Sequence, residues 1–160
     1  MFNKTLNIKL ELPLALPQVP QTLDHTCGAA CFASMYQYFK NISLDDMHFA
    51  HELKTLELGY TPPESIVELA QYYGFFSELK RDAQVEDLNQ FLSKGAVIFV
   101  TWWYEDSGHY SLVKLIDHEN ITLMDPWTAR EGQDQHLRLS DFIPHWKTRG
   151  SVLIAVFARP

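Results

Sequence analysis

The strongest constraint on this chain is a change of hydrophobic period at Gly95. Before it, apolar residues recur every three or four positions, the spacing of helices with one buried face. After it, they form short continuous or alternating runs rich in Val, Ile and Phe, which is strand patterning. In the helical half, Cys27, Cys31, Met35 and Tyr38 make one stripe over residues 27–39. Ser43-Leu44-Asp45-Asp46 reads as a second helix start, with the Ser43 hydroxyl as cap and acids in the first turn. Thr61-Pro62-Pro63-Glu64 has the form of a capping box with proline at the first helical position. That helix carries Ile66, Leu69, Ala70 and Tyr73 and stops at Gly74. A fourth, with Val85, Leu88, Phe91 and Leu92 inward, stops at Gly95. Strands are expected over 96–102, 109–116, 121–125, 136–139 and 151–158. Helices first, then strands joined by short turns, implies an α+β fold with the helical half packed on an antiparallel sheet.

Nothing divides the chain further, so residues 1–160 are expected to form a single domain. Pro13, Pro17 and Pro20 make 1–20 an extended entry segment, with a strand where Leu6, Ile8, Leu10 and Leu12 alternate. Lys9 and Glu11 interrupt that apolar run, which argues against a signal peptide. No stretch approaches the ~20 apolar residues of a membrane span. The net charge of -7 opposes a nucleic-acid partner, because phosphate binding needs clustered Lys and Arg. Two cysteines only, four apart on one expected helix, exclude a disulfide framework and favour a reducing, cytoplasmic location.

Three residues carry candidate chemistry. Cys27 precedes Gly28-Ala29-Ala30 at the start of a helix, where free N–H groups and the helix dipole favour a thiolate. Taken alone, it is more often a buried inert thiol. His109 stands in Ser107-Gly108-His109-Tyr110-Ser111, where a turn enters a strand and can aim the imidazole across a cleft as a general base. Asp125 lies sixteen residues later. If the intervening strands pair as a hairpin, the start of one lies beside the end of the next, and the acid can orient the imidazole. Gln21, on the extended segment before Cys27, is a candidate oxyanion donor together with the Cys27 N–H. Trp102, Trp103 and Trp127 adjoin these strand ends, as core packing or as walls of a substrate cleft.

The stretch from Gln21 to Cys31, with Met35 beyond it, resembles the active-site segment of bacteriocin-processing peptidases. Gly108-His109-Tyr110, Met124-Asp125-Pro126, and Leu139-Ser140-Asp141-Phe142 ahead of Trp146 continue the resemblance over residues 18–158. These papain-like cysteine peptidases remove double-glycine leaders, usually as the N-terminal domain of a peptide-exporting ABC transporter. The resemblance implies a papain-like fold with Cys27 as nucleophile, His109 as base, Asp125 as orienter and Gln21 as oxyanion donor. It implies no cofactor, a peptide or protein substrate cut after small residues such as Gly-Gly, and association with a separate transporter. Two departures stand out. The family usually has aspartate directly before the cysteine, where this chain has Thr26 preceded by His25; and, with the sequence ending at Pro160, transport is expected to be carried by another polypeptide.

Other readings compete. Deamidation, isopeptide cleavage and acyl transfer use the same parts, and a catalytically silent peptide-binding domain would share the fold. A zinc site from Cys27, Cys31, His48 and His51 is disfavoured, because the histidines are spaced more closely than usual for a finger. No metal is therefore expected.

Overall fold

The computed structural model describes residues 12–102, 108–127 and 134–159. The strand expected around Leu6 to Leu12 lies outside them except for Leu12 itself, which is exposed and not in a strand, and Trp103 lies outside them too. Four helices come first: α1 (Cys27–Lys40), α2 (Asp46–Glu52), α3 (Thr55–Leu58) and α4 (Pro63–Tyr72). Then follow β1 (Phe76–Lys80), α5 (Val85–Ser93), β2 (Val97–Trp102), β3 (His109–Ile116), β4 (Asn120–Met124), β5 (Gln135–Arg138), α6 (Leu139–Thr148) and β6 (Leu153–Phe157). The six strands form one sheet in the order β1-β6-β2-β3-β4-β5, and every neighbouring pair is antiparallel. The α+β class with an antiparallel sheet is as expected.

Both faces of the sheet are covered. On one, α1, α2 and α4 contribute Ala30, Phe32, Met35, Phe49, Ile66 and Ala70 to a core shared with Val97, Phe99, Leu112 and Ile154. On the other, Leu88 of α5 and Phe142 and Trp146 of α6 pack on Ile98, Val100, Trp102 and Leu153. A strand buried on both faces has no polar side to show, which is why β2 reads as an unbroken apolar run. Helices on both faces modify the expected division into a helical half and a strand half. The sequence pattern missed α6 because Pro144 lies inside it, and missed β1 because it is a short edge strand with no fully buried residue.

The helix ends differ in detail from expectation. The cap of α2 is Asp45, whose carboxylate accepts the His48 N–H at 3.0 Å; Ser43 is not its cap. The cap position of α4 is Pro62, with no side-chain capping bond. The Thr61 hydroxyl instead meets that of Thr55 at 2.8 Å, a buried contact that leaves it unavailable to the helix. The stops at Gly74 and Gly95 are as read, both residues having the positive φ (87° and 88°) that glycine adopts without strain.

Candidate active site

Cys27 is the first residue of α1 and is buried. Its sulfur accepts the backbone N–H of Tyr110 at 3.5 Å, which ties the helix start to β3. Close packing makes this approach possible. Gly28 faces Thr61 and the Tyr110 ring with no room for a side chain, and the Tyr110 hydroxyl is pinned to the Thr61 carbonyl at 2.8 Å.

His109 opens β3, and Asp125 follows β4 directly. The hairpin brings them together as its topology requires: His109 Nε2 meets Asp125 Oδ1 at 2.6 Å, with the imidazole almost fully and the carboxylate fully buried. With Nε2 committed to the acid, Nδ1 is the ring nitrogen left for the thiol, and Cys27 is among the groups that raise the His109 pKa. Burial is the largest influence on this imidazole and pushes its pKa down. The hydrogen bonds and charges of Asp125 and Cys27 together outweigh it, raising the pKa from 6.5 to about 9. Burial likewise pushes Asp125 upward most strongly. The bond and charge of His109, the Gln135 amide and the Trp127 N–H overcome that and hold the carboxyl below its ordinary value. One turn further along α1, burial first, then Cys27 and Asp125, push the Cys31 thiol well up. A thiol held up in this way is a poor nucleophile near neutral pH.

Asp125 has a partner that sequence reasoning missed. Gln135, buried at the start of β5, donates Nε2 to Asp125 Oδ2 at 2.7 Å, while the Trp127 N–H reaches Oδ1 at 3.0 Å. The entry segment is threaded into the same place. The Gln21 N–H bonds the Pro126 carbonyl at 2.7 Å, and Gln18 Nε2 bonds the Asp125 carbonyl at 2.5 Å.

Gln21 is buried and close in sequence to the thiol, but its NH₂ donates to the carbonyls of Leu23 at 2.8 Å and Asp24 at 3.1 Å. Among the described residues its buried Oε1 has no hydrogen-bond partner. Thr26, where the resemblance led one to expect an acid, is buried and donates its hydroxyl to Asp46 Oδ2 at 2.7 Å. A carboxylate therefore does stand beside this position, supplied from α2.

The tryptophans separate. Trp102 is fully buried: its indole N–H bonds Ser111 Oγ at 3.0 Å and its ring meets the flank of His109, centroids 6.4 Å apart. Of the two readings given for Trp102, its full burial fits core packing, with the ring behind the imidazole. Trp127 is half-buried and edge-on to His109 at 6.1 Å. Among the described residues, no group of three or more His, Cys, Asp or Glu is arranged to hold a metal ion, and no helix is long and apolar enough to cross a membrane. His48, one of the histidines weighed for zinc, lies 3.9 Å from Glu52 on its own helix.

Solved structures share this architecture. The peptidase domain of Streptococcus ComA, a bifunctional ABC transporter, superposes with a TM-score of 0.70 at 19% identity, over 88% of this chain and 97% of that one. A double-glycine-motif protease from an AMS/PCAT transporter, solved with its leader peptide, gives 0.72 at 17% identity over 92% and 94%. A C39-like peptidase from Bacillus anthracis gives 0.73 at 17% over 94% and 99%. At these identities the likeness establishes the fold alone. None of the curated proteins compared with the chain matches it. The model of the peptidase C39 family, however, matches residues 15–156, nearly the whole length, and on that match the chain belongs to the peptidase C39 family of cysteine peptidases.

Proposed function

We propose that this protein hydrolyses peptide bonds by thiolate attack, with Cys27 as nucleophile, His109 as acid and base, and Asp125 as the group that orients the imidazole. One arrangement supports this reading above all: a single buried imidazole hydrogen-bonded to a carboxylate on one side and interacting with a helix-start thiol on the other. In the reacting state the thiol proton rests on His109, whose raised pKa favours the protonated imidazole.

The thiolate adds to the substrate carbonyl, and the carbonyl electrons move to oxygen. The Cys27 N–H and the Gln21 amide hold that oxyanion, Gln21 exchanging one of its loop carbonyls for the substrate oxygen. As the C–N bond breaks, His109 gives its proton to the leaving amine. A water then attacks the thioester, His109 takes its proton, and the acyl product leaves as the acid while the thiolate is restored.

The substrate we assign is a peptide supplied separately, cut after paired small residues. The relatives include a protease named for a double-glycine motif and solved with a leader peptide. Trp127, half-buried beside His109, is the described aromatic suited to narrowing the channel before the thiol. Trp103 is the other aromatic proposed for it. A separate transporter is the partner this reading favours, with a cytoplasmic site of action. The test is turnover of a Gly-Gly peptide and of copies carrying Ala and then Val in place of glycine. A narrow channel gives graded and then complete loss. Equal rates for all three would overturn the specificity, and equal rates for wild type and Cys27→Ala would overturn the chemistry.

A further inference from the structure

Asp46 is a buried carboxylate that the chemistry above does not use. It belongs to α2, yet its bonds run away from its own helix, to the segment between Gln21 and Cys27. Oδ2 accepts the Thr22 N–H at 2.6 Å and the Thr26 hydroxyl at 2.7 Å, and Oδ1 accepts the Thr22 hydroxyl at 2.7 Å. Asp46 is 1% exposed, whereas Thr22, Leu23 and Asp24 are exposed. A surface turn has little packing to hold it, so its geometry depends on its hydrogen bonds.

Those bonds form a closed frame. The Thr26 N–H returns to the Leu23 carbonyl at 3.2 Å, making a tight turn, and the Leu23 N–H reaches the Thr26 hydroxyl at 3.1 Å. Gln21 Nε2 lies on the Leu23 and Asp24 carbonyls inside that turn. The carboxylate thus grips the turn at both ends, one residue after Gln21 and one residue before Cys27, the two proposed oxyanion donors. Because the acceptor is charged and shielded from water, each of its bonds is stronger than a neutral one at the surface.

We infer that Asp46 is a positioning residue for the oxyanion hole, holding the 22–26 turn so that the Gln21 amide sits at a fixed distance from the Cys27 N–H. This rests on the thiol-acyl chemistry proposed above. It makes no claim on the nucleophile itself, which is held from another direction by Tyr110. The consequence is a split: reactions that pass through a tetrahedral oxyanion depend on Asp46, and simple alkylation of the thiol does not.

The test compares Asp46→Asn with wild type in three readouts on the full chain: peptide turnover, inhibition by a peptide aldehyde, and the rate of Cys27 alkylation by iodoacetamide. An aldehyde forms a tetrahedral adduct with the thiol, whereas iodoacetamide alkylates it by displacement with no oxyanion. Asp46→Asn is expected to lower kcat and aldehyde affinity by about 10–100-fold, approaching the effect of losing one oxyanion donor, with alkylation within about 2-fold of wild type. Combined with Gln21→Ala, it should add little to the single Gln21 variant. If Asp46→Asn fails to fold, Thr26→Val removes one arm of the grip and should give the same split at smaller size. Alkylation falling in step with turnover would overturn the inference, as would unchanged aldehyde affinity or fully additive losses in the double variant. Because aldehyde binding and alkylation need no peptide hydrolysis, they still test Asp46 if the protein proves to cut another bond.

Discussion

Replacing Gly28 by alanine tests the tight seam that brings helix and sheet together at the thiol. A Cβ at this position would lie 3.0 Å from Thr61 Cβ, 3.0 Å from Tyr110 Cδ2 and 3.1 Å from Thr61 Oγ1. Relief requires a neighbour to retreat by a few tenths of an ångström, and both neighbours are tethered. Thr61 is held through its hydroxyl to Thr55 at 2.8 Å, and Tyr110 through its hydroxyl to the Thr61 carbonyl at 2.8 Å. Alanine gains up to about 1 kcal/mol of helix propensity, but overpacking a filled site costs about 1–3 kcal/mol. We expect the clash to win by about 1–2 kcal/mol. At ~2–4 °C per kcal/mol for a chain of this size, that lowers Tm by roughly 2–8 °C. The assay is urea unfolding followed by tryptophan fluorescence, with Tm from calorimetry. Because the adjacent residue is Cys27, turnover should fall by more than stability alone explains. An unchanged or raised midpoint would refute the reasoning, since it would mean the seam gives way freely.

Further outcomes follow from the same geometry. Cys27→Ala should abolish turnover with stability nearly unchanged, whereas Cys31→Ser should keep turnover and lose stability, because it places a hydroxyl in an apolar site; thiol titration and unfolding curves check both. Asp125→Asn should reduce kcat less than His109→Ala does, since the base remains and only its orientation is lost; steady-state kinetics decide. The folded pKa of His109, about 9, exceeds its ordinary 6.5. Its contribution to stability is therefore complete below pH 6.5 and lost as pH rises through 9, and the stability gap between wild type and His109→Gln should shrink across that window. Asp125, held below its ordinary value, works in the opposite sense, stabilising above pH 3.8 and failing as pH drops through its lowered pKa. Gln135→Leu leaves Asp125 Oδ2 without that amide, so the acid limb of the pH–rate profile should move to higher pH with KM little changed.

Much of the framework was readable before any coordinates, for identifiable reasons. The bounds of β3 follow from a periodic run that begins after Gly108, and the meeting of His109 with Asp125 follows from counting residues around one hairpin. The α1 stripe is long and regular enough to declare itself. What escaped depended on partners distant in the chain. Ser43 and Thr61 carry sound capping signatures, but Asp45 takes one cap and tertiary contact with Thr55 claims the hydroxyl at the other. Nothing local marks Gln135 as the support of Asp125, or Asp46 as the anchor of Thr22 and Thr26. A neutral amide on an edge strand and an acid in a first helical turn are both ordinary until the fold brings them to their targets. Trp102 was left between core and cleft because adjacency in sequence does not say which side of a strand faces solvent.

The reacting groups sit on opposite sides of a boundary between two layers: the thiol on a helix, the imidazole and its acid on the sheet. The hairpin that holds the imidazole and its acid does not hold the thiol, so a partly assembled molecule has no diluted version of the site. A state that keeps its helices and strands but loosens their packing would leave sulfur and ring too far apart to exchange a proton. Under the chemistry proposed above this is a built-in safeguard: a newly made or damaged copy would be inert until its two layers close, and the first detectable cleavage would mark the moment they have.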